Sequence, residues 1–405
     1  MKLTWGPKGP SDGIEAPHKV AIVGVGVISC LGQTKESFWK GLFGPALVGL
    51  RTIDDFDASN WLGPKEIRRH DRFNQMGIAA SSLAMEDAGD LKITDPGRAG
   101  VLVGTGVGGL DSLETQVMVG NTRGFDRVTP FLVPLMMANA GAASISMRFG
   151  FQGPCETTVT ACAAGTQAIA NAARLIATGR CDVMLTGGSE CAMTDTAKAG
   201  FKNMTAMSNA GISRPFDRDR DGFMMAEGAA ILVLEELNRA KARGAHIYAT
   251  IDGAASNADA YHITAPSPHG VGAAGCMRIA IADAGLTPKD IAHINAHGTS
   301  TPMNDLAEGE AMNDVFGSVT PPVTSLKGAL GHAFGSAGAL EAVGACLTIE
   351  HGVIPPTLGT KEIDPAIHVD VVMGEGRPFV AGPILSNSFG FGGHNGSIVI
   401  SPLES

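Results

Sequence analysis

Unbroken apolar stretches recur along this chain at 20–27, 100–104, 181–188, 228–235, 247–253, 291–296, 321–325, 369–373, 383–387 and 396–401. An apolar run without polar alternation is the pattern of a strand buried on both faces. Between these runs lie segments of helical character at 35–42, 68–87, 166–178, 236–243, 270–285 and 335–351. In the second of them Phe73, Met76, Ile78, Ala79, Leu83 and Ala84 form the apolar stripe. Strands alternating with helices predict an α/β fold with buried sheets. Residues 1–18 mix Gly, Pro and charge without a period and read as an unstructured or appended lead-in. Two segments echo each other: Cys162 precedes Gly165 and an Ala-rich helix, and His332 precedes Gly335 and another. The echo predicts duplicated halves, 19–245 carrying Cys162 and 246–405 carrying the histidines.

Cys162 stands where an extended stretch, 155–161, gives way to the Ala-rich segment ending at Gly179. That order reads as strand, sharp turn and buried helix with the thiol at the turn. The positive end of a helix dipole favours thiolate, the nucleophilic form. Taken alone, the residue fits an inert core cysteine as well.

Composition narrows the setting. The chain has 405 residues, 44% of them hydrophobic, and so can bury a large core. A net charge of −10 argues against nucleic acid as a partner. The seven cysteines include no Cys-x-x-Cys pair, which points away from disulfides and zinc and towards a cytoplasmic protein. No apolar run nears the roughly 20 residues needed to span a bilayer, and no secretory signal is evident.

Three downstream segments change the weight of Cys162. They are Asn295-Ala-His-Gly-Thr-Ser-Thr-Pro with His297, Lys327-Gly-Ala-Leu-Gly-His with His332, and Asn387-Ser-Phe-Gly-Phe-Gly-Gly with Phe391. Each has an ordinary structural explanation when taken singly. In this order, after Cys162-Ala-Ala-Gly, they resemble the signatures of β-ketoacyl-ACP synthases, most of all the elongating class II type on the thiolase fold. The resemblance runs over residues 19–402. Gly393-His394-Asn395 and the stretch Asp259–Pro266 look most like actinobacterial members.

The resemblance implies a fold and a reaction. The fold is thiolase-like: two duplicated halves stacked as five layers, αβαβα, with mixed sheets. The reaction joins a Cys162-bound acyl group to malonyl-ACP with loss of CO₂. Cys162 and Phe391 would supply backbone N–H groups to the oxyanion. His297 and His332, as neutral imidazoles, would stabilise the charge that decarboxylation creates. A helix N-terminus beside His332 would keep its ring neutral. Lys327 would tune them, with Glu341 as its partner.

Other roles carry over by position. By resemblance the Thr299 and Thr301 hydroxyls would contact the pantetheine arm, Thr264 would border the same channel, and Glu341 is grouped with these substrate-contacting residues. Val107 lines or gates the acyl pocket, and Phe131 reaches the acyl pocket of a partner subunit in a homodimer. Lys65, Arg68 and Arg69 would dock the acidic carrier protein. No cofactor is implied, because the 4'-phosphopantetheine arrives on the carrier. A structural Na⁺ or K⁺ is implied at Asn295, Glu341, Ser386 and Asn387.

The chain departs from the pattern in places. Ala163 and Ala164 follow the nucleophile where relatives carry a hydroxyl, the segment Phe201–Ser213 is short, and Gly328 replaces a frequent Ser. These departures bear on acyl preference and leave open a polyketide, very-long-chain or inhibitor-tolerant pathway. A nucleophile-free partner subunit would have lost Cys162. A thiolase would need a second cysteine in the C-terminal loop, where His394 stands instead, and Cys346 falls within a helical pattern.

Overall fold

The computed structural model describes residues 17–403. Its main sheet has ten strands: β1 (Val20–Ile28), β2 (Ala99–Gly104), β3 (Cys155–Thr158), β4 (Val183–Glu190), β5 (Gly228–Glu236), β6 (Ala249–Ala258), β7 (His293–Asn295), β8 (Val323–Thr324), β9 (Ile384–Gly390) and β10 (His394–Ser401). Their spatial order is β3-β2-β4-β5-β1-β6-β10-β9-β7-β8. Counted within each half, this order is the same from either end, third-second-fourth-fifth-first. The sequence echo is therefore a structural duplication. The halves join through a short antiparallel ladder in which Val20–Ile22 pair with Ile251–Ala249.

Six longer helices complete the layers: α1 (Arg72–Ala88), α2 (Ala140–Phe149), α3 (Ala164–Ala177), α4 (Val271–Asp283), α5 (Pro302–Phe316) and α6 (Ala337–His351). α1 and α2 pack on the first half-sheet, α4 packs on β6 and β10, and α5 packs on α4. α3 and α6 touch each other and strands of both halves. The result is the expected αβαβα arrangement, with α3 and α6 as the central layer. Every residue of α6 from Ala337 to Thr348 is buried. A helix apolar on all sides needs this position between two sheets.

Glycine lets the halves come together. A Cβ on Gly335 would lie 2.2 Å from the backbone nitrogen of Gly106, and one on Gly165 would lie 2.9 Å from Gly335 O. The expected strand at 369–373 does not form. Its partner β8 is only two residues long, so the segment makes a single bridge, Val371 to Val323. The helix Leu110–Arg123 lies outside the expected segments; Leu110, Leu113 and Val117 fall at helical spacing, yet only Gly120 is buried. Residues 17 and 18 are described as irregular chain, while the rest of the lead-in reading lies outside the described residues. No described helix is long and apolar enough to cross a membrane.

Candidate active site

Cys162 occupies a tight turn between β3 and α3. Ala161, just before it, has φ 49°, a left-handed conformation rare for a residue with a Cβ. The turn Ala161–Ala163 then feeds α3. Local strain of this kind is held in place by surrounding packing and collects at functional turns. The second half repeats the device: Phe334 has φ 46° and the turn Phe334–Ser336 feeds α6. The matched turns pair Ala161 with Phe334, so Gly335, not His332, is the structural counterpart of Cys162. His332 lies earlier, where its backbone bridges to Met225. The sequence echo had the right helices and a register three residues off.

His332 Nε2 lies 3.0 Å from Cys162 Sγ. The His297 ring stands 5.5 Å from the His332 ring, centroid to centroid, at 81°. His297 follows β7, and Glu308 on α5 fixes its backbone by accepting from the N–H groups of His297 and Gly298 at 2.8 and 2.7 Å. Lys327 Nζ donates to His297 O at 2.6 Å and forms a buried ion pair with Glu341. Phe223 and Phe334 pack against the His332 ring, each with its centroid at 5.0 Å.

Burial governs the electrostatics. Both imidazoles are held well below the ordinary histidine value, first by burial and then by the nearby Lys327 cation. They are neutral, as expected, but the main cause is desolvation and not a helix end. The thiol behaves against expectation. Burial pushes Cys162 up to about 12, outweighing Lys327 and the Phe391 N–H, which act in the opposite direction. In this buried turn desolvation of the anion exceeds the lowering by Lys327 and the backbone N–H groups. The resting pair is therefore a neutral thiol beside a neutral imidazole, and a base must take the thiol proton as the sulfur attacks.

The Phe391 N–H and the N–H of Cys162 both act on the sulfur. Gly390 permits this approach, since a Cβ there would lie 3.1 Å from Cys162 N. A cavity of about 520 Å³ opens over the site, lined by Cys162, His297, His332, Phe391 and the three threonines Thr264, Thr299 and Thr301. Thr299 and Thr301 share a hydroxyl hydrogen bond of 2.8 Å.

Three expected contacts fall elsewhere. Glu341 is fully buried on Lys327 and does not line the cavity, so it is not a substrate contact within this chain. Val107 is 51% exposed and also lies outside the lining. Phe131 stacks under Arg69, with the guanidinium 5.1 Å from its ring centroid. It lines a separate surface hollow with Lys65 and Arg68. The three basic residues are exposed, and none of them is in an ion pair among the described residues.

The four residues of the implied cation site fit it in part. Asn295 Oδ1 and Glu341 Oε2 are buried oxygens without a partner, the donor type a hard cation takes. Asn295 Nδ2 donates to Ser386 Oγ at 2.9 Å. The Asn387 side-chain oxygen accepts from the Ser397 hydroxyl at 2.8 Å.

Sequence reasoning missed Glu308, Glu190 and the aromatic wall of Phe201, Phe223 and Phe334. The spacing of Glu308 after His297 was a usable signal. The aromatic wall comes from separated segments and carried none. The Gly328 departure has a structural reason, because a Cβ there would lie 2.1 Å from Leu358 O.

Comparisons with known proteins agree with this geometry. The family described as beta-ketoacyl synthase, N-terminal domain, matches residues 45–240, and its C-terminal domain matches residues 248–361. The chain is 42% identical over 410 residues to a Synechocystis protein named 3-oxoacyl-[acyl-carrier-protein] synthase 2, covering 95% of this chain and 98% of that one. It is similar in structure to the ishigamide ketosynthase/chain length factor, with a TM-score of 0.91 and 33% identity over 96% of this chain and 100% of that one. It is also similar to a type II polyketide ketosynthase solved in complex with its acyl-carrier protein, with a TM-score of 0.87 and 30% identity over 96% and 100% of the two chains.

Proposed function

Because the chain belongs to the β-ketoacyl synthase family, we propose that Cys162 is the acyl-carrying nucleophile of its decarboxylative Claisen condensation. The chain is a condensing enzyme of the 3-oxoacyl-ACP synthase 2 type, which extends acyl chains in fatty acid synthesis. The observation that carries the residue assignment is the 3.0 Å approach of His332 Nε2 to Cys162 Sγ, with His297 on the same cavity.

The reaction follows from the groups present. As Cys162 Sγ attacks the acyl thioester, His332 Nε2 takes its proton. The tetrahedral oxyanion accepts from the Cys162 and Phe391 N–H groups. Collapse breaks the bond to the pantetheine sulfur, which leaves with the proton from His332. Malonyl-ACP then enters past Thr264, Thr299 and Thr301. Its carboxylate leaves as CO₂, and the electron pair of that bond moves into the thioester. The charge grows on the thioester oxygen, where His297 donates from Nε2–H and His332 donates once its single ring proton has passed from Nδ1 to Nε2. The new carbon nucleophile attacks the acyl carbonyl, the C–C bond forms, and Cys162 leaves as thiolate and is reprotonated. Lys327 holds the His297 backbone, and its charge adds to burial in keeping both rings neutral.

The carrier protein is read as an acidic partner drawn to Lys65, Arg68 and Arg69. Exposed apolar side chains between Val107 and Val159, among them Val117, Met118, Phe125 and Val133, support a second copy of this chain on that face. The exposed edge strand β3 lies in the same region of sequence. In that homodimer Val107 and Phe131 would become pocket residues. Asn295 and Glu341 would hold a monovalent cation through their free oxygens. The halves are read as 19–245 and 246–405. Seven unpaired cysteines support a cytoplasmic site, and Gly393-His394-Asn395 supports kinship with actinobacterial members.

The test is turnover by the purified chain, with its mass in solution measured on the same preparation. Given acyl-ACP and malonyl-ACP, the expected product is 3-oxoacyl-ACP two carbons longer, made by a particle of two chains. Absence of that product contradicts the function, and a single-chain mass contradicts the dimer.

A further inference from the structure

The reaction above leaves one buried carboxylate at the site unused. Glu190 ends β4 and is fully buried. Its Oε2 accepts from the Gly106 N–H at 2.5 Å and from the Gly335 N–H at 3.2 Å, and its Oε1 accepts from the Thr105 hydroxyl at 3.1 Å. Among the described residues it belongs to no ion pair. Gly106 lies in the loop after β2, in the first half. Gly335 lies in the turn three residues after His332, in the second half. Both backbones are crowded here, since a Cβ on Gly106 would lie 2.7 Å from Glu190 Oε2. Two N–H groups from opposite halves, that of Gly335 buried and that of Gly106 partly buried, thus point at one oxygen. Without a shared acceptor the buried Gly335 N–H would be left unsatisfied and the Gly106 N–H would lose its tie to the other half, and the first of these is costly in a dry interior.

We propose that Glu190 is a positioning residue that clamps the 105–108 loop to the His332–Gly335 segment and so sets the approach of His332 to Cys162. This rests on the reading of Cys162 as the acyl carrier. The turn Phe334–Ser336 is the counterpart of the nucleophile turn, and its neighbours β4 and the Cys162 turn pack directly on it. A slip of this turn moves the imidazole relative to the sulfur. Glu190 also acts on Cys162 by charge, raising the thiol and opposing Lys327. The same carboxylate is itself pushed up to about 7 by burial, against the pull of its backbone donors.

The predicted contrast is between Glu190→Ala and Glu190→Gln. Glutamine can offer one oxygen to both N–H groups and its amide to the Thr105 hydroxyl, whereas alanine offers nothing. Acyl transfer from acyl-ACP to Cys162, followed by intact mass, should slow by about tenfold or more in Glu190→Ala and return to within about threefold of the unaltered chain in Glu190→Gln. Removing the charge should also speed alkylation of Cys162 by iodoacetamide in Glu190→Gln, compared at one pH high enough to ionise Glu190, because the thiol titrates lower. A merely structural role would not produce that second effect. If Glu190→Ala shows no cooperative melting, Thr105→Val, which removes one donor to Oε1, should slow acyl transfer by about threefold. Unaltered transfer in Glu190→Ala, or in Thr105→Val where that variant stands in for it, overturns the proposal. So does a glutamine variant as slow as alanine, or unchanged alkylation in Glu190→Gln. Failure of the unaltered chain to take an acyl group on Cys162 would instead overturn the catalytic reading on which the proposal rests.

Discussion

With Cys162 replaced by alanine, the chain is expected to keep releasing CO₂ from malonyl-ACP while forming no 3-oxoacyl product. The two half-reactions use different atoms. Acyl transfer needs the sulfur, which lines the cavity beside His332. Decarboxylation needs donors for a growing oxyanion, and His297 and His332 supply these without the sulfur. Loss of a covalent nucleophile costs about 10⁴-fold or more in turnover, so elongation should fall to background. The substitution removes one sulfur from a packed site and leaves the Ala161–Ala163 turn intact, so the fold should persist. Elongation at a normal rate in Cys162→Ala would remove the nucleophile assignment.

His332→Ala is expected to lose both half-reactions. Its ring is the base 3.0 Å from the thiol and one of two donors to the malonyl oxyanion. A positioned base contributes about 10²–10⁴-fold, and one oxyanion donor about 10²–10³-fold. Because burial holds the thiol up at about 12, little thiolate forms without a base, and the loss of acyl transfer should be severe. Decarboxylation of malonyl-ACP by His332→Ala should fall by at least about 10²-fold. The His332 backbone bridges to Met225 without help from the side chain, so a melting curve close to that of the unaltered chain is the accompanying control. A near-normal decarboxylation rate would take His332 out of that role.

The parts of this protein that were legible in its sequence are those written in contiguous residues. The buried strands announced themselves as apolar runs, and the turn at Cys162 as an extended stretch broken before an Ala-rich helix. His297, Lys327, His332 and Phe391 were found because their short Gly-containing segments, in this order after Cys162, resemble the signatures of one family. What escaped depends on contacts between distant segments. The thiol's resting state is set by burial among groups from both halves, which a helix rule cannot anticipate. The register of the duplicated turns shows in the φ angles of Ala161 and Phe334 and not in residue identity. Glu190 looks like any acidic residue after a Gly-Gly-Ser strand, and only the crossing of two backbones at Gly106 and Gly335 gives it a task. Val107 and Phe131 were assigned to an acyl pocket, yet neither lines the cavity at Cys162.

The central claim is that Cys162 carries the acyl group between the two substrates. Intact mass spectrometry of the purified chain tests it most directly, first with acyl-ACP alone and then after adding malonyl-ACP. The account predicts a mass gain of one acyl group, mapped to Cys162, that disappears on adding malonyl-ACP as CO₂ and 3-oxoacyl-ACP form together. An acyl group on another residue, or product formed with Cys162 never acylated, would contradict it.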